Sequence, residues 1–482
     1  MVVNLTKGSL MNRFNGLSRI STEWSSRMSL SRRSLLTTAG ALPAVALLAG
    51  MPADASAQSR RTYFVSLQGD DNAAGTSEST AWKTINRVNK AFAEGQIVHG
   101  DSVLFQRGQR FFGEFNQLSE PQGDARLTIG AYGTGAHPVI MGYKVLDRSR
   151  AWSKVGDNLW QIDLSDPNNY RGNTCSQEIR EANIGFLRVS GKRFYGAKKF
   201  SLGELQAEFD FHSDHKSKLL TLVCSENPAG RGLLAAADGL MVPARSNTTI
   251  QGLDLIGIGG HGIHVDKGNS GVRIIDNHIH HIGGSHLIWV TDKVFRYGNG
   301  IEMWIGTSDI VVEGNRVYDV YDVAFTMQGD QSGPHLGWRD IHIRGNSTNR
   351  CTQSFEVWAG GGDHGPEAGY RNCTFTGNNC HNAGTGWGQE ARPNKDEGGV
   401  HLLSYSEPLP MDLKITGNRF AGAVNAYMYR QPEHRSQMTI DNNTIELKAG
   451  QKLQHQRGEL IEQHAAWSEA TGFDKNSKFV IK

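Results

Sequence analysis

Apolar and polar residues alternate along much of the chain between residues 247 and 447, and asparagine interrupts the alternation at intervals. A short motif recurs there: an apolar residue, any residue, then Gly, Asp or Asn, then Asn. Its last position is occupied by Asn277, Asn315, Asn346, Asn378, Asn418 and Asn443, in steps of 38, 31, 32, 40 and 25 residues. Alternation at period two predicts short strands. Recurrence at a loose period predicts a solenoid with one coil per repeat.

The recurrence of asparagine at this position indicates a structural role for the six residues. Asn tolerates the left-handed bend between two strands, and its amide can bond to an identical amide one coil away. We therefore expect these residues to form an internal ladder that runs along the solenoid.

The remaining segments interrupt or end this pattern. The segment 58–142 is predicted to contain an N-terminal cap, with a helix that ends near Ala93, followed by the first coils. A cap is expected because an uncapped end would expose strand edges and core. Residues 143–242 break the period with hairpin-like runs, which predicts an inserted β-rich module. The main coils occupy residues 243–447, and residues 448–482 form a C-terminal cap or tail.

The repeat and the N-terminal stretch Tyr63–Phe115 together resemble the right-handed parallel β-helix of the pectate-lyase-like superfamily. The resemblance covers most of residues 62–447. It implies an all-β, right-handed parallel β-helix with an N-terminal capping helix and an inserted β-rich module. It also implies a carbohydrate-active protein with a groove along its coils. The substrate stays open, because fold alone does not specify function.

The first residues are typical of an export signal. Arg32-Arg33 precede an apolar run from Leu35 to Gly50, and small residues end at Ala57. This arrangement resembles a twin-arginine signal and predicts use of the twin-arginine machinery, cleavage after Ala57 and a periplasmic or secreted protein. The apolar run is shorter than the ~20 residues of a membrane span, so no span is expected in the mature form. Since residues 28–57 form a complete signal alone, we expect residues 1–27 to be a start-site artefact.

Composition narrows the class of protein. With 50 basic and 48 acidic residues, a net charge of +2 argues against a nucleic-acid partner. The 20% of charged and 38% of hydrophobic residues are typical of a folded chain. The five cysteines show no zinc-site spacing, and pairing of Cys175 with Cys224 stays open.

One strand per coil carries chemically reactive side chains. Aligning these strands on their apolar residues stacks Ile263, Ile301, Val323, Phe355 and Val400 inside. Alternation then places one outward column of side chains, which consists of His264, Glu302, Ala324, Glu356, His401 and Tyr427. A second column beside it consists of Asp266, Trp304, Thr326, Trp358, Leu403 and Tyr429, and Asp322 lies on the other side.

Carboxylates beside aromatic rings suit a sugar, which offers an apolar face and polar edges. We expect a polysaccharide substrate and a glycosidase that uses Glu302, Glu356 or Asp322 as acid and base. Neighbouring coils lie ~4.8 Å apart, so these pairs fall at about 8–10 Å, near the range of inverting enzymes. The side chains expected to bind the sugar are Trp304, Trp358, Tyr427, Tyr429, Arg296, Gln328 and Arg392.

Two alternatives remain open at this point. A polysaccharide lyase or C5-epimerase would abstract a proton next to a uronate carboxylate, with His264 or His401 as base. Calcium could assist such a lyase, but no dense Asp cluster is present and no metal ligands are assigned. A non-catalytic glycan-binding or envelope protein would use the aromatic residues for affinity alone.

Overall fold

The computed structural model describes residues 60–172, 182–191, 194–287, 295–330, 337–360, 368–393, 395, 398–404, 409–429 and 438–482. The export signal at residues 1–57 and Cys175 lie outside the described residues. No helix within the described part of the chain is long and apolar enough to cross a membrane.

Three long parallel sheets form the faces of a solenoid, and the coils between Leu240 and Gln454 visit them in the same order. Sheet 1 has ten strands: Thr62–Val65, Ser102–Gln106, Leu127–Tyr132, Thr248–Gln251, Arg273–Ile275, Ser308–Glu313, Trp338–Arg344, Tyr370–Thr376, Met411–Thr416 and Met438–Asp441. Sheet 2 has ten strands: Arg110–Phe112, Val139–Met141, Asp254–Ile258, His278–Ile282, Arg316–Val320, Ser347–Asn349, Asn379–Ala383, Arg419–Ala423, Thr444–Leu447 and Lys478–Ile481. Sheet 3 has eight strands: Leu240–Ala244, His261–Val265, Ile301–Trp304, Val323–Asp330, Gln353–Gly360, Val400–Ser404, Ala426–Met428 and Lys452–Gln454. The fold is a right-handed parallel β-helix, as predicted.

The apolar residues of the three sheets meet in one continuous core inside the coils. In sheet 1, for example, Ile250, Ile274 and Val312 occupy the same row of successive strands and are fully buried. Each such row removes apolar area from water at every coil, which stabilises the solenoid along its whole length.

The predicted Asn ladder is present where sheet 1 turns into sheet 2. Asn315 shows the repeating pattern: its Nδ2 donates to Asn346 Oδ1 at 3.0 Å and to the carbonyl of Ile274 at 2.9 Å. Its Oδ1 accepts from the backbone and the amide of Asn277. The left-handed backbone was assigned to the wrong residue, because it belongs to the residue before each ladder Asn: Asp276, Gly314, Gly345, Gly377, Gly417 and Asn442.

Both ends of the core are covered. The amphipathic helix Ile85–Ala93 buries Ile85, Val88 and Phe92 against the first strands, and Thr84 caps its N-terminus by accepting from Arg87 N. At the other end the helix His464–Thr471 buries Trp467 in the same core.

Residues between Lys144 and Ala237 form two further sheets. One contains Lys198–Lys199, Phe211–Asp214, Leu219–Val223, Leu159–Asp163 and Trp152–Gly156; the other contains Ile184–Val189, Leu233–Ala237, Lys144–Val145 and Arg171–Gly172. These sheets have a core of their own. A second apolar cluster, containing Phe186, Tyr321 and Trp387, joins them to the coils. The domain boundaries stay a prediction.

The other short elements lie in connections. They are the antiparallel pair Ser285–His286 and Arg296–Tyr297, the helix Trp387–Ala391, and the 3₁₀ turns Glu78–Thr80, Ser149–Ala151, Pro167–Asn169, Leu202–Glu204, Pro228–Arg231 and Ile461–Gln463.

Candidate active site

The outer surface of sheet 3 carries the reactive side chains, but in a register that differs from the predicted one. Ile301 pairs with Phe325, and Phe355 pairs with Leu402, so the predicted alignment on Val323 and Val400 was wrong by two residues. The outward row is therefore His264, Glu302, Thr326, Glu356, Leu403 and Tyr429. The neighbouring row contains Trp304, Gln328 and Trp358.

The error arises because alternation fails where the later strands begin. Val400 and Leu403 belong to a small apolar cluster of their own, whereas Leu402 lies in the solenoid core. His401 lies between Val400 and Leu402, is fully buried, and packs its ring 5.4 Å from core Phe420. Two adjacent residues thus face inward, and the prediction that His401 projects outward was wrong.

Tyr427 occupies the next inward position and also belongs to the core, so its predicted place in the outward column was wrong. The same inward corner is Ala324 in an earlier coil, which corrects the third member of that column. This corner position runs along the solenoid as Gly262, Gly300, Ala324, Ser354, His401 and Tyr427.

His401 cannot serve as a base toward a bound substrate. Its Nδ1 is bonded to Ser354 Oγ at 3.0 Å. Burial lowers the pKa of His401 to about 3, so the ring is neutral and has no route to solvent.

Glu302 lies at the centre of the outward row, 1% exposed and surrounded by N–H groups. Its Oε2 lies 2.5 Å from His264 Nδ1 and 3.2 Å from His261 Nε2. Its Oε1 accepts from Asn299 Nδ2 at 3.1 Å and from Gln328 Nε2. Burial alone would raise the pKa of Glu302, but His261, His264 and Asn299 hold the pKa below its usual value. Glu302 is therefore a fully engaged carboxylate.

His264 lies between two carboxylates. Its Nε2 is 3.6 Å from Asp266 Oδ1, on the side opposite Glu302. Burial lowers the pKa of His264, but Asp266 and Glu302 outweigh it and raise the pKa to about 9. A histidine that keeps its proton at neutral pH is a poor general base.

His261, His264 and Glu302 form a group whose ligand-type atoms lie within 4.8 Å of one another. The hydrogen bonds argue against a metal there. Asn299 N donates to His261 Nδ1 at 3.1 Å, so the proton of the neutral His261 ring must sit on Nε2, the atom that faces Glu302. A ligating histidine shows the reverse arrangement, with its second nitrogen donating. Two ring nitrogens also do not suit calcium, which prefers oxygen ligands.

Glu356 lies two strands beyond Glu302 and has a different environment. Its carboxyl is 8% exposed, and its Oε2 lies 3.0 Å from Thr326 Oγ1. Burial, and next the charge of Asp322, raise the pKa of Glu356 to about 8. The surroundings therefore favour the protonated form of Glu356 and the ionised form of Glu302.

Asp322 precedes the strand that carries Thr326. Both terminal nitrogens of Arg392 bond to Asp322 Oδ1, at 2.8 and 3.1 Å. Arg392 also lies over the Tyr321 ring, 5.3 Å from its centroid. The short helix that ends at Ala391 thus delivers a cation to the second carboxylate near Glu356.

The aromatic candidates divide into two groups. Trp304 and Trp358 are half-buried in the row beside Glu302 and Glu356, on either side of Gln328. Tyr429 is outward but 9% exposed, and it stacks on His455 at 5.4 Å. The two tryptophans are the rings placed beside the carboxylates.

Arg296 cross-links the backbone instead of facing the row. Its three guanidinium nitrogens donate to the carbonyls of Gly284, Gly185 and Ala391, at 2.8 to 3.0 Å. Three of its five N–H groups are thus bonded to backbone carbonyls, and its predicted sugar contact stays a prediction.

His261 and Asn299 are not among the residues predicted from the sequence, and Thr326 is predicted at a different position. A signal for the first two exists: His261-Gly262-Ile263-His264 and Asn299-Gly300-Ile301-Glu302 share one spacing, so the first residue of each lies three before the reactive one. Thr326 was named, but in the wrong column because of the register error.

Comparison with known proteins agrees with the fold. Residues 233–420 match the family described as "Right handed beta helix region". A lacto-N-biosidase of Bifidobacterium longum subsp. longum is 36% identical over 136 residues, which cover 27% of this chain and 8% of that protein. The matched part thus spans less than a tenth of that relative.

The chain is also similar to solved structures. The complex of XylC with xylose is similar with a TM-score of 0.50 and 11% identity, covering 82% of this chain and 69% of that chain. A GH136 lacto-N-biosidase from Eubacterium ramulus has a TM-score of 0.37 and 12% identity, covering 88% and 68%. Sheets, ladder and family match together identify the chain as a right-handed parallel β-helix protein.

Proposed function

We propose that this protein is an exported carbohydrate-active enzyme that hydrolyses a glycosidic bond on the outer surface of sheet 3. The observation that carries the proposal is a pair of carboxyl groups with opposite pKa shifts. Burial and Asp322 raise the pKa of Glu356 to about 8, and His261, His264 and Asn299 keep the pKa of Glu302 below its usual value. A buried carboxyl group that favours its protonated form beside carboxylates that favour the ionised form is typical of the general acid of a glycosidase.

In this proposal Glu356 is the general acid. It enters the cycle protonated and gives its proton to the leaving glycosidic oxygen. Asp322 is the second carboxylate, close enough for its charge to act on Glu356, and it activates water or attacks the sugar. Arg392 holds Asp322 in place by two hydrogen bonds to Oδ1.

Glu302 has a different role from the one first expected. All of its contacts are N–H donors, so it has no proton to give and little basicity to offer. Its fixed negative charge lies on the same surface as the positive charge that develops on a sugar ring during cleavage. We assign it electrostatic stabilisation.

Trp304 and Trp358 supply the sugar contacts. Each indole is half-buried and stands next to a carboxylate-bearing position. An aromatic face packs against the apolar face of a sugar, while the neighbouring polar groups bind its hydroxyls.

β-Elimination is the second candidate reaction. The surroundings of both candidate histidine bases argue against it. His264 keeps its proton between Asp266 and Glu302, and His401 lies inside the core. The similarity to a lacto-N-biosidase over 136 residues also favours a glycosidase. The substrate itself, the periplasmic or secreted location and the use of the twin-arginine route remain parts of the proposal.

The test is a screen of the chain from Gln58 against neutral and acidic polysaccharides and oligosaccharides. New reducing ends without near-ultraviolet absorbance support hydrolysis. Reducing ends accompanied by absorbance from a new double bond would overturn it in favour of elimination. If no polymer is cleaved, a glycan array measures binding. Binding without turnover, with the same affinity in Glu356→Gln as in the wild type, would support a non-catalytic protein.

A further inference from the structure

A continuous line of polar side chains connects the two glutamates of sheet 3. Gln328 Nε2 donates to Glu302 Oε1. Thr326 Oγ1 lies 3.1 Å from Gln328 Oε1 and 3.0 Å from Glu356 Oε2. Thr326 is fully buried, and Glu302 and Glu356 are 1% and 8% exposed. The direction of each hydrogen bond in this line can be derived from a fixed point in the backbone.

The fixed point is the backbone N–H of Val323, which donates to Asn299 Oδ1 at 3.2 Å. A backbone N–H is always a donor, so the amide oxygen of Asn299 must face it. Asn299 therefore turns its Nδ2 toward Glu302 Oε1, at 3.1 Å. Glu302 Oε1 is thereby defined as an acceptor.

The orientation of Gln328 follows. Because Glu302 Oε1 is an acceptor, the Gln328 atom that faces it must be the amide nitrogen. The amide oxygen of Gln328 then faces Thr326 Oγ1. That oxygen can only accept, so this contact is a hydrogen bond only when the hydroxyl of Thr326 donates to it.

A threonine hydroxyl has one proton. If that proton lies on the bond to Gln328, Thr326 presents only lone pairs to Glu356 Oε2, at 3.0 Å. An ionised Glu356 would place acceptor against acceptor, whereas a protonated Glu356 completes the line by donating to Thr326.

We infer that Glu302, Gln328 and Thr326 form a directional hydrogen-bond chain that keeps a proton on Glu356 in the resting site, with Gln328 and Thr326 as positioning residues. The resting protonation is inferred from hydrogen-bond satisfaction: both contacts of Thr326 are satisfied together only when Glu356 carries a proton. The catalytic use of that proton rests on the proposed glycosidase function.

The chain also offers a response to proton loss. When the O–H bond of Glu356 breaks and the leaving oxygen of the substrate takes the proton, the Thr326 hydroxyl keeps its own proton and rotates from Gln328 to the new carboxylate. The carboxylate then has a donor that it lacked before. Reprotonation from water reverses the rotation.

The charged groups around Glu356 act alongside this chain. Asp322 and Glu302 both favour the protonated form, and Arg392 favours the ionised form. On the next strand the neighbour is the apolar Leu403. Asp322 and Arg392 are not members of the hydrogen-bond chain, so their contribution can be separated from that of the chain by mutation.

The first experiment needs no substrate. The carboxylic C=O band of Glu356 is assigned by infrared difference spectra between the wild type and Glu356→Gln, and is titrated with pH. We expect the band to be present at neutral pH. In Gln328→Leu the Thr326 proton is free to stabilise the carboxylate, so the midpoint should fall by about one pH unit.

The double variant is the decisive control. In a Thr326→Val background, Gln328→Leu should not shift the midpoint, because the hydroxyl that transmits its effect is gone. Thr374→Val makes the same substitution at a threonine on sheet 1 that is bonded to His342, and it should titrate as the wild type. A band absent at neutral pH, or a Gln328→Leu shift that persists without Thr326, would overturn the inference.

A second readout separates this inference from the proposed function. If a hydrolysed substrate is found, the basic limb of kcat/KM should move to lower pH in Gln328→Leu, with Thr326→Ser close to the wild type. A rise in KM without a shift of that limb would make Gln328 a sugar contact and would contradict the inference. If the infrared results are as expected but no substrate is hydrolysed, the hydrogen-bond chain is supported and the glycosidase proposal is contradicted.

Discussion

Two rows of buried polar side chains run across the coils, and they are built on opposite principles. The Asn ladder repeats one residue and one bond pattern at every coil, so each amide bonds to its copy. The outward row of sheet 3 has a different side chain at almost every coil, and its bonds connect unlike groups. The repeated asparagines provide hydrogen-bond partners for the backbone at each corner. The varied side chains of the outward row give Glu302 and Glu356 different surroundings, which shift their pKa values in opposite directions.

Removing the two proposed reacting carboxyls should give the largest effect. Glu356→Gln and Asp322→Asn should each lower kcat by about 100- to 10,000-fold, the usual contribution of acid–base groups. Glu356→Gln should leave the melting temperature unchanged, since the amide can donate to Thr326 as the protonated acid does. Reducing-end assays and thermal unfolding test this contrast, and a Glu356→Gln enzyme with more than a tenth of wild-type turnover would contradict it.

Breaking the ladder should affect stability and spare chemistry. Asn346→Ala removes the acceptor of Asn315 and the donor to Asn378, leaving buried groups unsatisfied. We expect a loss of about 3 kcal/mol, since each unsatisfied group costs ~1–3 kcal/mol. Denaturant unfolding should show it. Asn379→Ala, an exposed asparagine next to the ladder, should change stability little; an equal loss there would contradict the ladder's role.

The ladder ends on a titratable group, and this should give its stability a pH dependence. Asn443 Nδ2 donates to Asp474 Oδ1, and burial raises the pKa of Asp474 to about 6. Its ordinary pKa is about 3.9, so the folded state binds the proton more tightly. Stability is then greatest below pH 4 and falls as pH rises through about 6, by roughly 3 kcal/mol.

Asp474→Asn should remove this dependence, because an amide does not titrate. The difference in unfolding free energy between the variant and the wild type, measured from pH 4 to pH 7, isolates the Asp474 contribution from other groups. A constant difference over that range would show that Asp474 does not titrate there.

Sugar contacts should produce a smaller effect in the outward row. Trp358→Ala should raise KM by about 10-fold and leave kcat nearly unchanged, because the indole contributes binding energy to ground and transition states alike. Trp160→Ala, a half-buried tryptophan of the inserted sheets, is the matched control and should leave KM as it is. A matched rise in both variants would point to a structural effect.

Metal removal should have the smallest effect. The tautomer of His261 turns an N–H toward Glu302, so a chelator should change neither activity nor melting temperature. Added zinc should leave the melting temperature constant. A zinc-dependent rise would show that the His261 ring can change its tautomer.

The repeat could be predicted from sequence because the same physical requirement recurs in every coil. The six ladder asparagines are such a case: a corner amide needs a partner one coil away. The outward row was harder to predict. Its register depends on where alternation fails, between Val400 and Leu403, and on insertions of unequal length before each strand. The positions of Thr326 and Gln328 beside the glutamates depend on that register. No local sequence pattern around these two residues specifies it.

Glu356 and Glu302 were both predicted from residue type, but their division of roles was not. It depends on contacts from distant segments, such as His261 and Arg392, that the fold brings to the row. The export signal stays a prediction, since it lies outside the described residues.

The inward corner of sheet 3 has a further consequence for how such a solenoid can be rebuilt. A Cβ on Gly262 would lie 2.8 Å from Ile279 Cγ2, and one on Gly300 would lie 2.6 Å from Val317 Cγ1. At the far end the same corner accommodates the whole ring of Tyr427. The coils therefore differ in the space available inside this corner, and they are not interchangeable. A coil could be duplicated or transplanted only between neighbours with the same interior space at this corner.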